Sequence, residues 1–516
     1  MRKFLPFFLL PTLLFAGWAE DTLHSMTFEE KVGQLFVAPA CPKRGEDHWA
    51  DWLKLMKDCH VGNALVKHAD PVTQVQFLNR LQDEAKIPLL ITSDMEWGLA
   101  MRMANTMAFP KNMTLGAVRD VEKIRALGRE MGRQAKRVGV HLNLAPVADV
   151  NCNPENPVIH MRSFGDDPEE VGRRVSAFLQ GVQESGVLAC AKHFPGHGDT
   201  NVDSHHDLPW IPFSMQRLEQ IELLPFQKAI EAGVAGLMIA HLQVSCIDPV
   251  YPSSLSVNCI ELAREKLHFE GLIISDALNM KAVAERYSPE EVACLARGAG
   301  CDLLLYGADK DDKVDQLMRE QIPRAYRALV EKYRFGDVEE LDAAVLRILQ
   351  AKESLGLHLE RKVALGNLLQ ALHTREGAAL KKELFREAVT WVGEPVLLEK
   401  NVAYVSIGGG DVLAQEFAHS FTAPFDHSKF DQVVVAIHQA NGLEEWAPFL
   451  NEIAGKSIVC LFATPYVLPK LQLHRSILVG YENDPDAQWA VYHAMEGKEE
   501  AIGKLPVDLR SLSKLR

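Results

Sequence analysis

Short apolar runs alternate with amphipathic stretches along the first three fifths of the chain. Eight runs have the length and composition of buried strands, and segments with helical periodicity, such as 121–139 and 168–186, separate most of them. The runs cover residues 33–39, 62–68, 87–94, 141–149, 187–194, 236–242, 272–278 and 302–307. Alternating strands and helices predict a parallel sheet, and eight repeats predict a (β/α)8 barrel.

Polar residues stand at the carboxyl ends of five of these predicted strands. They are Asp94, Asp149, Lys192 with His193, His241 and Asp276. A barrel collects its active-site residues from many strand ends at this face. A doubly wound sheet, the alternative fold, would gather its site around one topological switch point. The distribution therefore favours the barrel.

The rest of the chain predicts barrel-closing helices, a connector and a second, smaller domain. Two helical stretches, 311–333 and 338–355, follow the last predicted strand. Four further apolar runs lie at 403–409, 431–438, 457–463 and 476–482. We therefore expect a catalytic barrel over 20–355, a helical linker over 356–392 and an α/β sandwich domain over 393–516.

The amino terminus has the pattern of a secretory signal peptide. Basic residues 2–3 precede an apolar run over 4–15, and the small residues Gly17 and Ala19 follow it. The run is short for a bilayer span, so cleavage after Ala19 is expected, with an uncleaved anchor as the alternative. The prediction is an exported protein, periplasmic or extracellular, with no stable membrane insertion after cleavage.

Composition and charge exclude several classes of partner. Hydrophobic residues make up 47% and charged residues 24% of the 516 residues, as in ordinary globular proteins. The formal net charge of −14, without a long basic run, argues against nucleic acid as a partner. Nine scattered cysteines form no CxxC pair and are interpreted as core residues, although a Cys41–Cys59 bridge stays open. Nothing in the sequence indicates an oligomeric state.

The segment AKHFPGHGDTNVDSHHDLP, residues 191–209, concentrates the polar chemistry of the chain. It holds four histidines, three aspartates and a lysine, which suits an acid–base site, a metal site or a hydrogen-bonded loop. The ligand patterns HxH and HExxH are absent, so we predict no metal and no other cofactor. Lys192 and His193, at a strand end, favour a functional role, whereas His197 and His206 fit a loop-stabilising role.

Two carboxylates in the sequence suit a proton-transfer and a nucleophilic role. Asp203 precedes His205 by two residues, a spacing that lets the carboxylate hold one ring nitrogen while the other faces a substrate. Asp276 ends an apolar run, where a buried charge is costly unless it is paired or functional. A carboxylate at a barrel mouth opposite an acid is the arrangement of retaining glycosidases. The alternative for Asp276 is the N-cap of the next helix.

Four motifs together resemble glycoside hydrolase family 3, and specifically its β-N-acetylglucosaminidase branch. They are KHFPGHGDTNVDSHHDLP, ISDALNM, SDMEWGLAMR and MRSFG. The resemblance implies that Asp276 is the nucleophile and that His205, on a flexible loop, is the acid/base with Asp203 as its partner. It further implies a set of sugar-binding residues, namely Asp94, Arg102, Arg162, Lys192 and His193, with His241 also lining the site.

The resemblance implies a retaining exo-β-N-acetylglucosaminidase that acts on an N-acetylglucosamine-containing glycan, peptidoglycan or muropeptide. One position departs from the family pattern D-x-E-G-G, since Trp97 replaces a glycine and could stack on a sugar or fill a gap below the site. The alternatives are another β-glycosidase or a glycoside phosphorylase of the same fold, a metal-dependent barrel hydrolase, and a non-catalytic cell-wall binding protein.

Overall fold

The computed structural model describes residues 17–204, 206–307, 312–336 and 338–508. Its larger part is a barrel of eight parallel strands, with one strand in each of the eight apolar runs. In chain order, β1 to β8 are Phe36–Ala40, Asn63–Val66, Leu90–Ser93, Leu142–Asn143, Leu188–Phe194, Gly236–Ile239, Leu272–Ser275 and Leu304–Leu305. Each strand pairs with the next, β8 pairs with β1, and a bridge between Ile274 and Leu303 closes the circle. The predicted barrel is confirmed.

Helices cover the outside of the barrel, which explains why the strands are apolar without alternation. Strand β1, for example, is buried at all five positions. The helices α1 to α15 are Trp18–Ser25, Phe28–Gly33, Gly45–Cys59, Pro71–Glu84, Asn112–Ala117, Val121–Arg137, Pro168–Glu184, Met215–Gln220, Leu224–Glu231, Val257–Glu261, Lys281–Ala284, Pro289–Ala299, Asp312–Gln316, Ile322–Arg334 and Val338–Ser354. A short parallel pair, Trp210–Ile211 with Gln243–Val244, lies outside the barrel sheet.

Local sequence sets where the longest of these helices begin. Asp120 and Asp167 accept backbone N–H groups at the first turns of α6 and α7, and Pro168 occupies the first position of α7. The two helices pack closely because a Cβ atom at Gly181 would lie 2.0 Å from the carbonyl oxygen of Arg125. Both helices match the stretches predicted from their periodicity.

The predicted signal peptide lies largely outside the described residues, which begin at residue 17. Helix α1 begins at Trp18, whose backbone N–H donates to the Glu353 carboxylate at 2.6 Å, and Ala19 is fully buried. Cleavage after Ala19 would therefore remove the first two residues of α1. The cleavage position stays a prediction. Within the described part of the chain, no helix is both long and apolar enough to cross a membrane.

A second sheet of six strands forms the smaller domain. Its strands β9 to β14 are Thr390–Gly393, Val402–Ile407, Ser420–Phe421, Gln432–Ile437, Ser457–Leu461 and Ser476–Val479. The spatial order is β9-β14-β13-β12-β10-β11, and β9 is antiparallel to β14 while the other pairs are parallel. The helices α16 to α19 are Leu368–Leu372, Arg375–Ala388, Leu443–Ile453 and Pro485–Met495.

One detail of the sequence analysis differs from this structure, and one alternative that it left open is decided. The stretch predicted as a linker, 356–392, holds α16, α17 and most of β9, so the second sheet begins before residue 393. Strand β9 was missed because it has only four residues, one of them Thr390, and borders charged segments. No disulfide joins Cys41 to Cys59.

Candidate active site

A cavity of about 650 Å³ opens where the carboxyl ends of the barrel strands meet. This volume is within the usual range for small-molecule sites. Six of the nine residues predicted for the site line it, namely Asp94, Arg102, Arg162, Lys192, His193 and Asp276. The fold therefore brings together side chains that lie up to 182 positions apart in the sequence.

Asp94 follows β3 and forms ion pairs with two cationic side chains. Its carboxylate accepts hydrogen bonds from Lys192 Nζ at 2.9 Å and from an Arg102 guanidinium nitrogen at 2.7 Å. Burial alone would raise the pKa of Asp94, but the charges of Lys192, Arg102 and Lys67 outweigh it and hold that pKa well below its usual value. Asp94 is therefore an anion at any physiological pH.

Glu96, two residues further on, completes this charge array and was missed by the sequence analysis. Arg162 donates to its two carboxylate oxygens at 2.7 and 2.9 Å, and Lys192 Nζ lies 2.9 Å from one of them. Burial opposes ionisation, but Arg162 and Lys192 outweigh it and lower the pKa of Glu96 to about 2. Its side chain is 1% exposed, so the array forms the floor of the cavity.

The two cations of the floor stay protonated for the same reason. Burial lowers the pKa of Lys192, but the carboxylates of Asp94 and Glu96 outweigh that effect and raise it. We call the four residues Asp94, Glu96, Arg162 and Lys192 the floor array. Charged donors and acceptors in fixed positions give strong, directional hydrogen bonds to hydroxyl groups, which suits recognition of a sugar ring.

His193 lies beside the floor array in a fixed orientation. Its Nδ1 is 2.7 Å from Asp149 Oδ2, and its Nε2 is 3.3 Å from an Arg162 guanidinium nitrogen. A guanidinium can only donate, so Nε2 is the acceptor and Nδ1 carries the proton that is donated to Asp149. Asp149 is fully buried and also accepts the backbone N–H of His197 at 2.7 Å. Asp149 therefore orients the ring rather than meeting a ligand.

Asp276 follows β7 and lines the cavity with a partly exposed side chain. Its backbone N–H donates to Ile239 O at 2.9 Å, which continues the pairing between neighbouring strands. Its Oδ1 accepts the N–H of Ala277 at 2.7 Å. The N-cap of the next helix, α11, is Met280, so the helix-cap alternative for Asp276 is wrong. The position suits a carboxylate that acts on a ligand.

The predicted acid/base pair follows β5 in the sequence. His205 lies outside the described residues, but its sequence neighbours Ser204 and His206 line the cavity. The backbone carbonyl of Asp203 accepts the N–H groups of His206 at 2.8 Å and Asp207 at 3.0 Å. The Asp203 carboxylate lies 4.0 Å from His206 Nε2. The pairing of Asp203 with His205 stays a prediction.

Two other histidines have supporting positions. His197 bonds through Nδ1 to Thr200 Oγ1 at 2.8 Å and through Nε2 to Ser204 Oγ at 3.2 Å. Burial, reinforced by His193, lowers the pKa of His197 to about 4, so it stays neutral. His197 therefore stabilises the loop from within.

His241 does not line the cavity, and the prediction that it does is wrong. The side chain is fully buried. Its Nδ1 lies 2.6 Å from Ser254 Oγ, and its Nε2 lies 3.0 Å from the carbonyl oxygen of Ala277. His241 therefore supports the backbone beside Asp276 from below.

Two further residues, Trp97 and Lys67, line the cavity wall and add an aromatic and a cationic side chain to it. Trp97 lines the cavity, and Lys111 Nζ lies 5.6 Å from its ring centroid. Lys67, directly after β2, also lines the cavity. Lys67 ends a predicted strand, so the rule that selected Asp94 and Asp276 could have found it.

The described residues include one group of side chains close enough to hold a metal ion, Cys152, Asp199 and Glu222. Arg217 already bonds to both carboxylates of this group. None of the three side chains lines the cavity. The group is therefore an ion-pair cluster outside the candidate active site.

Comparisons with known proteins agree with this geometry. The family model for the "Glycosyl hydrolase family 3 N terminal domain" matches residues 27–351. The chain is 24% identical to a β-N-acetylglucosaminidase/β-glucosidase of Cellulomonas fimi, over 95% of each chain. It is 30% identical to β-hexosaminidase LpqI of Mycobacterium tuberculosis, over 56% of this chain and 77% of that protein. A solved structure of a family 3 β-N-acetylglucosaminidase from Paenibacillus sp. str. FPU-7 superposes with a TM-score of 0.81 at 30% identity, covering 94% of this chain and 99% of that one.

Proposed function

Because the chain belongs to glycosyl hydrolase family 3, we propose that it is a retaining exo-β-N-acetylglucosaminidase that removes terminal β-linked N-acetylhexosamine. One observation carries the proposal: Asp276 and the floor array line the same cavity at the carboxyl ends of the strands. The relatives named above, which include a β-hexosaminidase and a β-N-acetylglucosaminidase, support the choice of sugar.

The reaction takes place in two steps. Asp276 attacks the anomeric carbon while His205 gives a proton to the departing glycosidic oxygen, which leaves a glycosyl ester on Asp276. His205 then removes a proton from water, which attacks the same carbon and releases the sugar with its configuration retained. The floor array holds the sugar hydroxyls throughout.

The floor array also supports cleavage at the end of a glycan chain. Glu96 and Lys192, with side chains 1% and 3% exposed, close the cavity at its base. A sugar bound against this closed base would be the terminal unit of its glycan. We extend the proposal to an exported enzyme that releases terminal N-acetylglucosamine from peptidoglycan or muropeptides, a step that rests on the signal-like amino terminus.

The test is kinetic. Asp276→Ala should abolish turnover of an aryl N-acetyl-β-glucosaminide, whereas Asp207→Ala, a change of an exposed aspartate near the same loop, should leave it close to wild type. Full activity of Asp276→Ala would end the proposal. Product analysis in phosphate buffer separates hydrolysis from phosphorolysis, since only a phosphorylase releases the sugar 1-phosphate.

A further inference from the structure

We propose that Tyr466, in the second domain, is a positioning residue for the acid–base step. It acts through Asn151 and Asn153 on the loop 195–204, which leads to the acid/base His205. This assignment rests on the proposed function, because it concerns how the proton donor of that reaction is placed. It also gives the second domain a part in catalysis.

Tyr466 belongs to the second domain, and its side chain contacts the barrel. It lies in the short helical turn Pro465–Leu471 that follows β13. Its hydroxyl oxygen accepts a hydrogen bond from Asn151 Nδ2 at 2.7 Å, and its ring centroid lies 5.0 Å from that of His160. Burial raises the pKa of Tyr466, so the hydroxyl stays protonated at neutral pH. The contact is therefore a stable hydrogen bond between the two domains.

Asn151 lies in the barrel segment 149–156, which begins six residues beyond β4, and is 1% exposed. Its Oδ1 accepts the N–H of His160 at 2.9 Å, and its Nδ2 donates to Asn153 O at 3.0 Å as well as to Tyr466. The amide nitrogen has two hydrogens, so Tyr466 takes the second one. Loss of the Tyr466 hydroxyl would leave a buried N–H without an acceptor, which is costly enough to reorient Asn151.

Asn153 connects the segment 149–156 to the loop 195–204 by hydrogen bonds. Its Nδ2 donates to Thr200 O at 3.2 Å and to the side chain of Asn201, and its backbone N–H donates to Gly198 O at 3.4 Å. The loop lies directly on the segment, because a Cβ atom at Gly198 would be 1.8 Å from Val150 O. A shift of 149–156 therefore moves the loop 195–204, which precedes His205 in the sequence.

The loop has a second anchor that does not involve the second domain. Arg217 bonds to Asp199, at 3.3 Å, and to Glu222. Loss of the Tyr466 contact should therefore loosen the loop without releasing it. We expect the acid to be misplaced rather than removed.

The test uses leaving groups that differ in their need for an acid. A phenyl N-acetyl-β-glucosaminide needs protonation of its departing oxygen, whereas a dinitrophenyl glycoside leaves as a stable anion. For Tyr466→Phe we expect kcat/KM on the phenyl glycoside to fall roughly 10-fold, a part of the 10²–10⁴-fold that a positioned acid contributes. On the dinitrophenyl glycoside we expect a change within about twofold, because the nucleophile and floor array are intact.

The matched control is Thr114→Val. Thr114 Oγ1 donates to Glu482 Oε1 at 2.5 Å, so this variant also deletes one hydroxyl hydrogen bond between the domains. Thr114 lies in α5, outside the chain of contacts from Tyr466 through Asn151 and Asn153, and the variant should show no dependence on the leaving group. Asn153→Ala, which removes the side-chain hydrogen bonds to Thr200 and Asn201, should reproduce the Tyr466→Phe pattern.

Three results would overturn the assignment. They are an equal loss on both glycosides, no loss on either, and the same leaving-group dependence in Thr114→Val. Thermal unfolding of each variant identifies a general loss of folding, which would appear as an equal loss. A wild-type protein that cleaves neither glycoside would overturn the proposed function itself, and this assignment with it.

Discussion

Two buried lysines at opposite ends of the barrel show how neighbouring groups determine whether a buried side chain keeps its charge. Lys192, at the carboxyl ends of the strands, lies between the carboxylates of Asp94 and Glu96, and its pKa is raised. Lys352, near the amino ends, bonds to Gln34 Oε1 at 2.6 Å and Gly62 O at 3.0 Å, and burial lowers its pKa to about 7.

The difference separates a functional end of the barrel from a structural one. At the carboxyl end, acidic and basic side chains stay ionised because they pair with each other, although burying several ions in one place carries a desolvation penalty. Such an array suits ligand binding, where the charges are needed. At the amino end, Lys352 has a pKa of about 7 and forms hydrogen bonds to uncharged groups. Changes at the first end should alter activity, and changes at the second should alter stability alone.

The largest effect is expected from the acid at the functional end. His205→Ala should lower kcat/KM on a phenyl glycoside by roughly 10²–10⁴-fold, the usual contribution of a general acid. The free energy of unfolding should stay close to the wild-type value, because the change is on a loop. Parallel kinetics and urea unfolding check both statements. A wild-type rate on the phenyl glycoside would remove His205 from the mechanism.

The next effect is expected from breaking the floor array. Glu96→Gln removes one carboxylate from Lys192 and Arg162, and loss of one partner of a buried pair costs roughly 3–5 kcal/mol. The stabilisation by Glu96, whose pKa falls from 4.5 to about 2, is present above about pH 4.5 and is lost as the pH falls through about 2. Urea unfolding of wild type and Glu96→Gln at pH 7 and pH 3 measures this pH-dependent difference in the free energy of unfolding.

A matched surface variant sharpens that prediction. Glu184 also pairs with two arginines, Arg125 and Arg129, but its side chain is 32% exposed. Glu184→Gln should change stability far less than Glu96→Gln does and leave activity unchanged, because solvent screens an exposed ion pair. Equal losses in Glu96→Gln and Glu184→Gln would contradict the distinction between the floor and the surface.

A smaller effect is expected at the structural end. Lys352 has a lower pKa in the folded state, about 7, than its usual 10.5, so the unfolded chain binds more protons between these values. Its contribution to stability therefore rises with pH from about 7 to about 10.5, by about 2 kcal/mol between pH 7 and 9 at ~1.4 kcal/mol per pKa unit. Lys352→Met should lack this rise and keep full activity. Parallel stability profiles of the two proteins would contradict it.

The smallest effect is expected at Trp97. If its ring stacks on the second sugar, Trp97→Gly should raise KM for a disaccharide by about 2- to 10-fold, as for an aromatic contact of 0.5–1.5 kcal/mol. The KM for an aryl glycoside of the single sugar should change less. An equal change in both KM values, together with lower stability, would identify Trp97 as a gap-filling side chain instead.

The sequence predicted the strand ends of this molecule better than its loops and connections. Asp94, Lys192 and Asp276 could be found because each ends a clear apolar run, and the barrel brings such ends together. Glu96 lies three residues beyond β3, where the sequence does not show which way a side chain turns. His241 also ends a predicted strand, yet its ring turns beneath the site. Strand β9 was missed because four residues between charged segments carry little periodicity.

The central claim is that Asp276 forms the covalent bond to the sugar. A fluorinated N-acetylglucosaminyl substrate with a good leaving group should accumulate the glycosyl-enzyme, which mass spectrometry of the digested protein can locate. We predict one added glycosyl group, on the peptide that contains Asp276, and none in Asp276→Ala. An adduct on a different carboxylate, or steady turnover with no adduct at all, would contradict the account.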